Sequence, residues 1–171
     1  MTDSWDPRAC LDLAKRADAP PDELSRMSRS PHVFVLEAVA MHPKTPAVAL
    51  SNMVPADLLK DDGFRVAGAL LLNENLPIAA LQRIADSTAK AISEIVPRVW
   101  YARQFLCAFA ANPNANVEIL RALLDPKIAP RHIREWIARN SRRRDVLETL
   151  AHDPSGTVSK LAARRLKAII D

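Results

Sequence analysis

Glycine is nearly missing from this chain: 171 residues hold three, at positions 63, 68 and 156. Three scattered glycines cannot form a phosphate-cradling loop, and no Gly-x-Ser-x-Gly elbow occurs, which removes two common enzymatic signatures. Cysteine is as scarce. Cys10 and Cys107 lie far apart with no metal-ligand spacing, and both read as small buried hydrophobes rather than a disulfide. The four histidines, His32, His42, His132 and His152, never fall four apart, so no helical zinc pair is expected. No run approaches the ~20 apolar residues of a membrane span. The opening Met1 to Asp6 is acidic and lacks the apolar core of a signal peptide, so cytoplasmic residence is expected. No alternating strand pattern appears either, and Asp62-Gly63 precedes a helical stripe rather than joining two strands.

What the chain has instead is proline and Ala/Leu-rich apolar stripes. Thirteen prolines and an apolar content of 49% would be an odd mixture in a coiled coil or a disordered chain. They make sense if the prolines mark helix starts and stops, because proline fits the first helical turn and breaks an interior. Asp6-Pro7, Ser30-Pro31 and Thr45-Pro46 each read as a cap plus proline opening a helix. Val35, Leu36, Val39 and Ala40 keep the three-four spacing of one helical face, as do Val66, Ala67, Leu70 and Leu71. Ile78, Leu81 and Ile84 form the next inner row, Val99, Ala102, Leu106 and Phe109 another, then Ile133, Trp136 and Ile137. Val158, Leu161, Ala162, Leu166 and Ile169 form the last.

These helices recur as a loosely repeated phrase: a short apolar helix, a turn, a second apolar helix, and a stop. The stops are Ala40 to Pro43, Leu71 to Asn73, Ala110 to Pro113 and Ile137 to Asn140. First-helix leucines Leu24, Leu50, Leu81, Leu120 and Leu147 keep their place while the connections between them vary. Repetition at this scale means units that cannot bury their apolar faces alone and stack to do so. The expectation is an all-α fold: a right-handed α-solenoid of about five irregular repeats in one domain spanning residues 1–171. Residues 1–19 would form an N-terminal capping helix, residues 20–171 the repeats, and residues 87–96 an inserted helix, with Pro97 opening the longest helix of all.

The phrases Ala110 to Leu120 and Leu150 to Val158 carry a resemblance. They resemble the leucine-rich repeat variant family, whose repeats alternate Ala-x-Asn-Pro with Leu-Ala-x-Asp-Pro, and more broadly the HEAT and armadillo α-solenoids. The likeness is clearest from Phe105 to Leu166. It implies a stacked helical fold, since the matching residues are core and capping positions. Some members of the variant family add an N-terminal cysteine cluster around an iron–sulfur centre. Such a centre needs four thiolates, Cys10 stands alone, and no cofactor is carried over.

Charge is unevenly spread. Through residue 102, eleven Lys/Arg face thirteen Asp/Glu, a net of −2; from Arg103 onward thirteen face seven, a net of +6. Arg139, Arg142, Arg143 and Arg144 cluster at a helix junction, with Arg131, Arg134, Arg164, Arg165 and Lys167 near in sequence. Arginine forks bind phosphate and carboxylate in pairs, so the cluster reads as a patch for an acidic partner, or else as a solvated face. Trp100, Tyr101 and Arg103 sit just off an inner stripe, where an exposed Trp beside Arg would suit a binding groove and a buried one would pack on the next unit. Trp136 falls on an inner stripe and is expected in the core. The expected activity is a non-catalytic scaffold for a protein partner, contacted by Trp100, Arg103, Arg131, Arg134, Arg139, Arg142, Arg143 and Arg144. No catalytic, metal or cofactor residue is assigned. The alternative is a nucleic-acid-binding HEAT-like protein using the same basic surface. The HEAT-like alkylpurine DNA glycosylases are its enzymatic form, though no matching Trp/Asp/Arg constellation is found.

Overall fold

A computed structural model describes residues 6–58, 62–94 and 99–170; the side chains of residues 93–102 and 170 lie outside the description. Every regular element among the described residues is an α-helix. They are α1 (Pro7–Ala14), α2 (Pro21–Met27), α3 (Val33–Met41), α4 (Ala47–Asn52), α5 (Gly63–Leu71), α6 (Ile78–Glu94), α7 (Val99–Ala111), α8 (Val117–Leu123), α9 (Arg131–Asn140), α10 (Arg144–Ala151) and α11 (Gly156–Ile170). None is long and apolar enough to cross a membrane.

The expected cap-plus-proline start holds for Asp6-Pro7, but α3 begins at Val33 with His32 rather than Ser30 at its cap, and Thr45 donates to Val39 O at 2.6 Å instead of capping α4. Pro7 and Pro21 open α1 and α2 at the first turn, and Pro46 and Pro130 stand at the caps of α4 and α9. Side chains also serve as caps: Asp6 accepts the Arg8 N–H at 3.0 Å, and Asn116 accepts the Ile119 N–H at 2.9 Å. Each such bond satisfies a backbone donor that the helix itself leaves free.

Three of the four expected stops share one chemistry with the end of α10, whereas Asn140 differs, its Nδ2 donating back to Trp136 O at 2.7 Å. After α3, α5, α7 and α10 comes a polar residue whose side chain accepts the backbone N–H two positions on. His42 Nδ1 takes Lys44 at 3.1 Å, Asn73 takes Asn75 at 2.8 Å, Asn112 takes Asn114 at 2.9 Å and Asp153 takes Ser155 at 2.8 Å. His42, Asn73 and Asn112 are buried. Their remaining polar atoms therefore need partners inside the protein. Asn73 Nδ2 donates to Ala40 O at 2.7 Å and His42 O at 3.0 Å, and His42 Nε2 donates to Arg16 O at 2.9 Å. The stop of one pair thus holds the stop of the pair before it.

Two compact units emerge, Met1–Ile84 and Ala85–Asp171, the boundary falling inside α6. In the first, α3 packs on both α1 and α5, with α2 also against α1 and α3. Its core holds Leu24, Met27, Val35, Val39, Leu50, Leu70, Leu71, Leu81 and Ile84. Arg65 of α5 reaches Glu37 of α3 through two bonds of 3.0 and 2.6 Å. In the second unit α9 packs on both α7 and α11, while α10 packs on α8, α9 and α11. Phe109, Ile119, Leu120, Ile133, Ile137, Val146, Leu147 and Val158 fill its core.

All five first-helix leucines are buried. Other expectations need correction. Residues 87–94 do not form a separate inserted helix: they continue α6, whose Ile84, Ala85 and buried Thr88 keep one face inward without a break. Positions 95 and 96 lie outside the described residues, as does Pro97; among the described residues α6, with 17 residues, is longer than α7, with 13. Ile78, Ile169 and Trp136 are exposed rather than inward.

Candidate partner-binding surface

Helix α9 decides where its neighbours' charges go. Ile133, Ile137 and Ala138 face inward, and so does Arg134, whose side chain is only 5% exposed. Arg134 makes a forked pair with Asp153, Nε to Oδ2 at 2.7 Å and Nη2 to Oδ1 at 3.2 Å, and its Nη1 donates to Ala129 O. A guanidinium held by three acceptors inside the protein cannot meet a partner, so Arg134 leaves the set of contact candidates.

Arg143 is likewise committed. It occupies the cap position of α10 and donates to Asn112 O, to Ala115 O at 2.6 Å and to the Asp145 carboxylate. It ties the turn before α8 to the turn before α10. Arg144 is exposed and pairs with Glu148 at 2.7 Å along α10. That side of the unit carries an open groove of about 520 Å³ lined by Val117, Arg121, Asp145, Glu148, Thr149 and His152. Arg142 is exposed at the α9–α10 turn, where Arg165 Nε donates to Ser141 O at 3.3 Å. Trp100 belongs to α7, but its side chain lies outside the described residues.

The remaining candidates do come together, on the outer face of α7, α9 and α11. The Arg103 guanidinium lies 5.0 Å from the ring centroid of Trp136, which is 39% exposed. Arg131 pairs with Glu135 at 2.8 Å and donates to Thr157 Oγ1 of α11 at 3.0 Å. Arg139 approaches the other Glu135 oxygen at 3.9 Å. Lys160, Arg164 and Lys167 are exposed along α11 beside them. Trp136 was hidden from the sequence reading because it sits one position before Ile137 in an apolar row. The buried flank of α9 turns toward Arg134 and Ala138 instead. Lys160 had no signal at all in isolation; its meaning comes from its place beside α9.

Among the described residues, no three His, Cys, Asp or Glu side chains gather as a metal site. The two thiols are unpaired. Burial raises Cys10, against a smaller opposing effect of Arg26. Burial also pushes Cys107 up to about 11, although the Arg103 charge and hydrogen bond pull the other way. Both thiols are therefore protonated at neutral pH and are poor nucleophiles and poor ligands. No buried side-chain nitrogen or oxygen among the described residues lacks a hydrogen-bond partner. The polar interior is therefore spent on holding helices together.

Comparisons with protein-family models, with curated proteins and with solved structures return no match for this chain.

Proposed function

We propose that this chain is a non-catalytic helical-repeat scaffold that binds a protein partner through the outer face of α7, α9 and α11. The observation that carries the reading is the exposed Trp136 with Arg103 stacked over it. Trp and Arg dominate the energetics of protein interfaces when they stand on rigid elements. The stacked cation also holds the ring in place before any partner arrives, which lowers the ordering cost of binding. Behind the surface, the supporting architecture is the right-handed α-solenoid of about five irregular units expected from the repeated phrase. It is supported by like helices lying beside like, α3 with α5, α8 with α10, and α9 with both α7 and α11. The two unpaired thiols suit a reducing compartment and hence a cytoplasmic setting.

The test is affinity capture from a cell extract with the immobilised full chain, compared with Trp136→Ala and Arg103→Glu. Both positions are exposed, so melting temperatures should stay within a few degrees of wild type, roughly the reach of an ordinary surface substitution. A protein retained near stoichiometry by wild type and lost from both variants is expected. Identical retention by all three chains overturns the reading. The rival, nucleic-acid binding through the same basic surface, would show as retained nucleic acid whose affinity falls steeply with salt.

A further inference from the structure

Helix α11 contains Lys160, Arg164, Arg165 and Lys167 and no Asp or Glu. Arg165 turns toward Ser141 O, whereas Lys160, Arg164 and Lys167 are exposed and engaged by no hydrogen bond or ion pair. Their spacing of four and three puts them on one side of the helix, over about 10 Å of its axis. Thr157, just before them on that side, meets Arg131, so the row runs beside the exposed edge of α9. On that edge Glu135 already occupies Arg131 and, at longer range, Arg139. Past it stands Trp136 under Arg103. Beside the cations α11 exposes Ala163 and Ala168, small groups that let another backbone come close.

Building on the scaffold reading, we propose that this face receives an acidic amphipathic helix of the protein partner. Its carboxylates would lie on Lys160, Arg164 and Lys167, and its apolar flank would reach Trp136. Two observations select a helix of a protein over a nucleic acid. Carboxylates on one helical face repeat with the same rise as the cations of α11, so the two rows match without distorting either chain. Glu135 stands within the face and has drawn off two of its arginines. Duplex DNA carries one charge per ~1.7 Å of axis, far more than three unpaired cations in one row can neutralise.

The probe is a fluorescent amphipathic helical peptide with one face of Glu and one of Leu and Ala. It is titrated with the full chain at low and moderate salt, beside the same peptide with Gln for Glu and a DNA duplex of similar length. Wild type is expected to bind the Glu peptide roughly tenfold tighter than the Gln peptide, the yield of three modest exposed pairs. The variant Lys160→Gln/Arg164→Gln/Lys167→Gln should lose about that factor while keeping its melting temperature. Trp136→Ala should weaken both peptides alike. Equal binding of the two peptides, an unaffected triple variant, or tighter binding of DNA than of the Glu peptide overturns the proposal. No binding of the Glu peptide, with Trp136-dependent capture of a protein intact, overturns this proposal and leaves the scaffold reading standing.

Discussion

Arg134 and Asp153 form the costliest pair of side chains in the second unit to disturb, because both are nearly dry: 5% and 3% exposed. Desolvating two charges is repaid only while each satisfies the other. Removing one leaves a buried charge without its counterpart and costs about 3–5 kcal/mol. Arg134→Ala and Asp153→Ala should therefore each shift urea midpoints far more than Arg139→Ala, whose side chain is 59% exposed. Equal shifts for Arg134 and Arg139 would mean that the buried pair contributes no more than a surface one. Asp145 gives the second residue-level expectation. Burial raises its carboxyl, but the Arg143 hydrogen bonds and charge, with the Val146 N–H, outweigh that and hold it below the ordinary value. The native carboxyl then binds its proton at lower pH than the unfolded one. Its contribution is complete above the ordinary Asp range near pH ~4 and fades as pH falls through the native value. Asp145→Asn should be less stable than wild type at pH 7, and the gap should narrow as pH drops from about 4 toward 2. A gap constant with pH would show that Asp145 acts by shape alone.

Helix boundaries were the part of this fold most open to reading, and the reasons are local. Pro7, Pro21, Pro46 and Pro130 act through their own fixed geometry, and the row of α5 buries Val66, Ala67, Leu70 and Leu71 as its spacing indicates, while in α3 Val35, Val39 and Ala40 are buried and Leu36 is half-buried. Arg134 was not readable as buried. A mid-helix arginine looks solvated until its partner is known, and Asp153 lies nineteen positions further on, beyond any helical spacing. Trp136 misled for the opposite reason: a large aromatic beside Ile137 looks like core, yet the helix turns it outward to Arg103. The repeated polar stops were visible as words, but their burial was not, because Asn73 acquires its acceptors, Ala40 O and His42 O, from the fold around it. Two helices begin with glycine for different reasons. At Gly63, after Asp62 in the left-handed region with φ 58°, a Cβ would run into the Asp57 backbone oxygen and lie 3.2 Å from Pro55 Cβ. At Gly156 a Cβ would meet open space. Gly63→Ala should destabilise by about 1–3 kcal/mol through overpacking against backbone. Gly156→Ala should stabilise by about 0.4–1 kcal/mol by narrowing the unfolded ensemble. Matching changes of the same sign in chemical denaturation would refute the distinction.

At the scale of the whole molecule the question is how far a local weakness spreads. Stops clasp earlier stops, and within each unit helices pack on near neighbours in the chain. In the stacked scaffold proposed above, stability is close to a sum over units and adjoining interfaces, and units can open separately. In a single closed bundle a loss anywhere lowers every slowly exchanging amide equally. Ile137→Val separates the two cases, because Ile137 is buried in the second unit and the loss of one methyl costs only about 0.5–1.5 kcal/mol, too little to unfold the chain. Native-state hydrogen exchange should then show the full loss in α9 and in its neighbours α7, α10 and α11. Little or no loss should appear in α1, α2 and α3. A uniform drop across α1 to α11 would contradict stacked units. It would also weaken the scaffold reading, because a surface assembled from semi-independent layers would be replaced by one that stands or falls with the whole core. The gradient also bears on binding. A partner helix lying along α9 and α11 should raise exchange protection most in those two helices and least in α1, α2 and α3, since ligand binding stabilises the states that carry the intact site.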